Sequence, residues 1–248
     1  MMKNLAYLAV LLMVCSCVTE DSEPLIFDTT NRLSLDIEGR IYQPDAVIAC
    51  AASDSLDSDL IRIYYYPEEG ATNVKFYETG NISANPNDYN SYTLLDIEDT
   101  PFFGGTLRQF ERPVSVEEYI IITYEVDDKI KISTPIRTKN NIGPTDWVNT
   151  ITINQEQSSM PKFNWDIASE EDNVIFFQVV SNSEGQLLSG TYTEQNQFQY
   201  YNLSNVVLNI TQGTPPELIV GQDYTITVMD VSIDNWVNEV ISSTFTAE

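Results

Sequence analysis

Leu218-Ile-Val-Gly-Gln-Asp-Tyr-Thr-Ile-Thr-Val228 is the stretch on which the reading of the fold turns. Gly221 supplies a residue free to take the left-handed backbone of a tight turn. Beyond it, Tyr224, Ile226 and Val228 alternate with Thr225 and Thr227. Successive side chains of a strand point to opposite faces. The stretch is therefore a half-buried strand entered through a glycine turn, with a tyrosine at its start facing a core.

Strand patterning spreads outward from there. Residues 240–246 follow it, and 205–211, 187–193, 174–181, 162–165 and 150–153 precede it, each short and rich in β-branched or aromatic residues. Further upstream, 47–51, 60–66, 74–77, 92–97, 106–110, 118–126 and 129–132 read the same way, and Asp127-Asp128 predicts a tight hairpin. Leu33, Leu35 and Ile37 alternate with polar residues, which predicts another strand. No stretch shows an apolar stripe of helical period and length. The polar run 138–142, broken by Gly143 and Pro144, marks a domain boundary too short to give the two halves much freedom. Short strands at regular spacing with turns between them predict two β-sandwiches, over 44–138 and 144–248.

The motif around Tyr224 resembles the tyrosine corner of fibronectin type III and related immunoglobulin-like domains, in which a strand-F tyrosine bonds back to upstream backbone. Trp165, closing Phe163-Asn-Trp165, is similar to the buried strand-B tryptophan of that family. The resemblance implies structural roles for Trp165, Gly221 and Tyr224. In the first half, Tyr66-Pro67-x-x-Gly70 followed by Val74-Lys-Phe-Tyr77 is similar to the strand B to C passage. Tyr66 then stands where Trp165 does, and Tyr119 where Tyr224 does, although Val116 takes the place of the turn glycine. The expectation is an all-β chain of two tandem fibronectin type III-like sandwiches, the first divergent.

The N-terminus opens with Lys3, then an apolar run over 5–14 interrupted by Tyr7, then Cys15-Ser16-Cys17. The run is too short to span a bilayer, which needs about 20 residues. A charged start, a short apolar region and a small residue before the cut fit a secretory signal. This segment resembles a bacterial lipoprotein signal over 1–16. The resemblance implies cleavage after Ser16, lipid on Cys17 and a tether over 17–43. A plain secretory signal shares the same first two regions. Glu20, Asp21 and Glu23 resemble the acidic export signal of surface lipoproteins in Bacteroidetes-type bacteria, and an ordinary solvated tether would have the same composition. The layout as a whole resembles flavobacterial-type surface lipoproteins with tandem domains of this kind. It implies an outer-membrane location facing the exterior, with membrane lipid as partner through Cys17, and it implies no reaction.

Composition narrows the chemistry. The 248 residues include 37 acidic and 12 basic residues and no histidine. A surface this negative repels phosphate backbones, so nucleic acid is excluded as a partner. Without histidine the usual base-activated nucleophiles are missing, and no carboxylate pair stands out, so no catalytic residue is assigned and no enzyme is expected. Once Cys15 and Cys17 are set aside, Cys50 has no partner for a disulfide, and its apolar run predicts an inert thiol.

Candidate sites are few. No cofactor is expected, with calcium the weak exception at Asp54, Asp57 and Asp59. These offer hard oxygen ligands but lack the glycine and distal glutamate of an EF-hand loop. Asp96-x-Glu98-Asp99 and Glu170-Glu171-Asp172 are similar acidic loops, and a solvated loop is the plain reading of all three. Asp28-Thr29-Thr30 and Asp54-Ser55-Leu56 are similar to a three-residue O-glycosylation pattern of Bacteroidetes-type bacteria. The candidate binding residues are Asp234, Asn235, Trp236 and Asn238, between the last two strands. Trp236 reads either as an interface hot spot or sugar platform, or as an anchor folded onto the sandwich end or the neighbouring domain. The aromatic clusters 64–66 and 198–201 read as core and edge packing. The functional expectation is a non-enzymatic adhesion or interaction module with an unidentified protein or glycan partner. The alternatives are a glycan-binding accessory lipoprotein of a polysaccharide-uptake system and a structural subunit of an outer-membrane assembly.

Overall fold

The computed structural model describes residues 31–168 and 173–248. The signal segment 1–16, Cys17, Glu20, Asp21, Glu23, the Asp28-Thr29-Thr30 pattern and the Glu170-Glu171-Asp172 loop lie outside the described residues. The chain is all-β and forms two immunoglobulin-like sandwiches.

The first unit begins with a single helical turn, α1 (Leu33–Asp36), followed by β1 (Tyr42–Val47), β2 (Ala49–Ser53), β3 (Leu60–Tyr65), β4 (Thr72–Glu78), β5 (Thr93–Leu95), β6 (Thr100–Phe102), β7 (Leu107–Pro113), β8 (Tyr119–Val126), β9 (Lys129–Ser133) and β10 (Ile136–Arg137). One sheet is ordered β2-β3-β7-β6, and the other β1-β9-β8-β4-β5 with β10 adding to β8. The chain enters parallel to β9 in β1, then crosses to the opposite sheet to run antiparallel to β3 in β2. Asp127 and Asp128 both take positive φ in the β8–β9 hairpin, as a two-residue turn with right-handed strand twist requires.

The second unit comprises β11 (Asp146–Val148), β12 (Ile151–Asn154), β13 (Lys162–Trp165), β14 (Asn173–Asn182), β15 (Leu187–Thr193), β16 (Gln197–Gln199), β17 (Val206–Asn209), β18 (Asp223–Ser232) and β19 (Val237–Thr246). It repeats the first. β11 runs parallel to the last strand, β12 crosses to pair with β13, and sheets β12-β13-β16 and β11-β19-β18-β14-β15-β17 enclose the core. Trp165 is buried and meets Phe176 edge-on at 5.4 Å. Gly221 has φ +84° and its N–H reaches the Ala247 carbonyl at 2.8 Å. The Tyr224 hydroxyl accepts the Ile219 N–H at 2.9 Å, five residues upstream, which is the tyrosine corner.

Three expectations need correction. Leu33 to Ile37 is not a strand. Leu33 and Ile37, one helical turn apart, are buried while Leu35 is exposed, and α1 packs with Tyr77, Tyr92 and Ile121 on the outer face of the first sandwich. Both α1 and the start of β1 fall within 17–43, so the far end of the expected tether is docked structure. The counterpart of Trp165 is Tyr65, not Tyr66: Trp165 pairs with Ile151 as Tyr65 pairs with Ala49, and Phe163 with Phe198 as Ile63 with Phe110. A one-residue slip exchanges the faces of a strand. Tyr119 makes no corner, because Ile120, Ile122 and Tyr124 are the members of β8 that face the core, and Tyr119 packs on the opposite side.

Candidate functional site

Of the two readings open for Trp236, an exposed binding platform or an anchor on the neighbouring domain, the structure has the second. The loop between β18 and β19 lies against the crossing strand of the first unit. The Asp234 carbonyl accepts the Arg137 N–H at 3.0 Å, and the Asn235 carbonyl accepts the Ala51 N–H at 3.0 Å. Trp236 continues as a parallel bridge beside Ala51. Its indole is fully buried in the core of the first sandwich, among Val47, Ile61 and Ile136, and its Nε1–H donates to the Gly143 carbonyl at 2.9 Å. The Asp234 carboxylate pairs with Lys139 of the connecting segment at 2.9 Å. Asn238 lies off this contact, with its amide 3.4 Å from the Asp230 carboxylate. Trp236 is therefore an inter-domain anchor, and an outside partner has no access to it.

The connecting segment is drawn into the same joint. Thr138, Lys139 and Asn140 are buried. Thr145 and Ser53 exchange two hydrogen bonds, at 2.7 and 2.9 Å, and the Thr145 hydroxyl donates to the Val237 carbonyl at 2.8 Å. Trp147 donates its indole N–H to the Ser53 carbonyl at 3.0 Å. Around these bonds the outer face of the β2-β3-β7 sheet meets the outer face of β14 and β18. Ala52, Tyr64 and Leu107 pack with Phe177, Val179, Met229 and Val240 into a third apolar cluster. The alternation in 64–66 explains this: Tyr65 turns into its own core and Tyr64 into the joint.

The acidic loop Asp54, Asp57, Asp59 does not converge on a centre. Asp54 pairs with Arg62 at 2.9 Å and accepts the Leu56 N–H, and Asp57 accepts the Asp59 N–H. Those bonds, the backbone N–H first, hold the Asp54 carboxyl below its usual range. Leu56 is 95% exposed, so Asp54-Ser55-Leu56 forms an accessible loop. Among the described residues no group of three or more acidic or cysteine side chains is placed to hold a metal ion. Asp99, of the second acidic loop, is held by Arg108 through two 2.6 Å bonds.

Two titratable groups escaped the sequence reading. Glu118 is buried just before β8 and accepts the Gly80 N–H at 2.7 Å. Burial, with Glu78 nearby, raises its carboxyl to about 7. Glu239 is also buried, and its carboxyl is raised by burial and by Asp230 and Asp146. Neither signal is visible in sequence, because the burial of each depends on strands distant along the chain. Cys50 fulfils the expectation of a poor nucleophile, since burial pushes its thiol up to about 12.

No family model and no curated protein matches the chain. Among solved structures it is similar to a two-domain fibronectin type III segment of chicken tenascin, at 12% identity over 81% of this chain and 97% of that one, with a TM-score of 0.25. It is similar to the chicken interferon gamma receptor alpha chain at 11% identity, over 81% and 96%, with a TM-score of 0.25. A glycoside hydrolase domain, Endo-D of Streptococcus pneumoniae, aligns at 10% identity over 81% of this chain and 33% of that one, with a TM-score of 0.31.

Proposed function

We propose that the chain is a non-enzymatic binding protein, held at the outer face of the outer membrane by lipid on Cys17, that presents its two sandwiches as one stiff body. The observation that carries this reading is an exposed apolar edge. β17 closes the large sheet of the second sandwich and has a neighbour on one side only. Val207 on this strand and Leu203 just before it are 55% and 52% exposed. Unpaired strand edges are templates for another chain, and soluble proteins commonly blunt them with charge or proline. Val206-Val-Leu-Asn209 has neither.

The same edge supports a second reading, a structural subunit of an outer-membrane assembly, because it is apolar and carries no aromatic platform. The glycan-binding reading finds less support. Among the described residues, Tyr42 and Trp147 are the aromatics among the large exposed apolar side chains, and they sit on different sandwiches.

The test has two arms. Cys17→Ser should move the protein from the membrane to the soluble fraction while Cys15→Ser leaves it bound, and lipid-bearing Cys17→Ser material in the pellet would overturn the anchor. Native protein carrying Val207→Lys should lose the partner that co-purifies with wild type from solubilised membranes. Recovery of the same partner at the same yield would remove β17 from the proposal.

A further inference from the structure

The joint between the sandwiches does not close everywhere. A half-open cavity of about 290 Å³ lies between β2–β3 of the first unit and β14, β15 and β17 of the second. Its walls are mostly apolar, with Val47, Leu107, Ile175, Phe177 and Val231 among them. Polar side chains interrupt this surface: Tyr65, Thr134 and Asn235 are bonded to Asp99, Asp45 and the Pro135 carbonyl, whereas Cys50, Tyr64, Tyr66 and Tyr192 have no protein partner among the described residues.

Two of these tyrosines are fixed in place. Tyr64 is 3% exposed and packs on Phe102 at 4.7 Å, while Tyr192 is 8% exposed and stacks on Phe177 at 4.5 Å. Neither hydroxyl has a hydrogen-bond partner among the described residues. Neither hydroxyl is shut off from solvent, so each is open to water or to the acceptor of a ligand that displaces it. Desolvation raises the pKa of both tyrosines and of Cys50, so all three groups stay protonated at neutral pH. No lysine or arginine lines the cavity and Asp45 stands at its wall, so an anionic ligand would find no counter-charge.

We propose that this cavity is a ligand site for a small, neutral, mostly apolar molecule carrying a hydrogen-bond acceptor, of the aryl ketone or ester class, whose oxygen accepts a hydrogen bond from the hydroxyl of Tyr64 or Tyr192. Concave apolar sites with a few convergent polar groups are where proteins bind such molecules. The inference goes beyond the partner-binding edge and does not rest on the membrane anchor. Val207 and Leu208 are adjacent on β17 and so point to opposite faces, and it is Leu208 that reaches the cavity wall.

Two probes of nearly the same shape test it: benzophenone, which has the carbonyl, and diphenylmethane, which lacks it. Both are titrated calorimetrically into the full chain carrying Cys17→Ser, so that neither acyl chains nor detergent compete. Benzophenone should bind one per chain and about tenfold tighter than diphenylmethane, the ratio expected for one hydrogen bond. Tyr64→Phe combined with Tyr192→Phe should bring the two probes within about twofold of each other. Cys50→Trp should occlude the cavity and abolish both titrations. Should that variant fail to fold, Leu208→Trp, at a position 42% exposed on the wall, should block entry instead. The proposal is overturned by the absence of saturable benzophenone binding. Equal affinity of wild type for both probes, or unchanged binding in a folded cavity-filling variant, would overturn it too.

Discussion

Replacing Trp236 by alanine separates an anchor from an ornament. The indole is fully buried within the core of the other sandwich. A buried tryptophan removes roughly 200 Å² from water, worth about 5 kcal/mol at about 25 cal/mol per Å². Measured truncations of buried Phe or Trp cost about 3–5 kcal/mol, because part of the site collapses. The hydrogen bond to the Gly143 carbonyl contributes about 1 kcal/mol of that total rather than adding to it. A loss near 4 kcal/mol is a large share of the roughly 5–15 kcal/mol that holds a domain folded. The first sandwich should suffer most, since its core loses the ring, and the connecting segment loses the indole bond to the Gly143 carbonyl. In a denaturant melt the variant should unfold in two resolved steps, with the earlier step belonging to residues 42–137. Limited proteolysis should then cut within 138–145, where Thr138, Lys139, Asn140 and Thr145 are buried in the native protein. A single transition at the wild-type midpoint would refute the reasoning, and so would wild-type resistance of the connecting segment.

Other expectations follow from the same geometry. Tyr224→Phe removes the bond to the Ile219 N–H and should lower the stability of the second sandwich by about 1 kcal/mol in a urea melt. Because folding raises the Glu118 carboxyl from 4.5 to about 7, its contribution is fully present below pH 4.5 and is lost as pH rises through 7. Glu118→Gln should therefore gain on wild type by as much as about 3 kcal/mol at pH 8 and by little at pH 5, and a pH-independent gap between the two melts would contradict the assignment. Removing the charges of Glu20, Asp21 and Glu23 should protect the protein from protease added to intact cells, and unchanged sensitivity would count against their role in export.

The fold was legible where side chains report one buried face. The Tyr224 stretch needs only its glycine turn and its alternation, and its corner hydrogen bond closes within five residues. The Asp127-Asp128 hairpin is equally local. Strands β6, β11 and β16 have three residues each, too few for a period to show, and β5, equally short, is legible only within the longer run 92–97. Residues 33–37 misled because Leu33, Leu35 and Ile37 satisfy a period of two, yet only Leu33 and Ile37 are buried, and that spacing also suits one helical turn. Trp236 was found by its type, but its role was not legible. A tryptophan beside asparagines in a loop reads the same whether it meets solvent or a neighbouring core, and the choice is made by Gly143 and Ala51, about 90 and 185 residues away along the chain.

A second signal of the joint was present in the sequence, in the strands that fail to alternate. A sheet with one wet face alternates apolar and polar residues, whereas one buried on both faces reads as a continuous apolar run. Ile175-Phe-Phe-Gln-Val-Val180 in β14 is such a run but for the buried Gln178: Phe176 and Val180 serve the core of the second sandwich, and Phe177 and Val179 serve the joint. In β3 alternation holds through Ile61-Arg62-Ile63 and fails only at its end, where Ile63 and Tyr65 turn inward and Tyr64 turns to the joint. The third run, Ile120-Ile-Ile122 in β8, has the same cause with a different cover, because Ile121 is shielded by α1. Doubly apolar strands thus locate what covers each sheet: the other sandwich over β3 and β14, and the N-terminal segment over β8. The loop between β18 and β19 closes the first of these covers. With that loop consumed, the surfaces left for a partner are the ones the joint does not reach, and among them the β17 edge and the cavity beside it combine exposed apolar side chains with unpaired hydrogen-bonding groups.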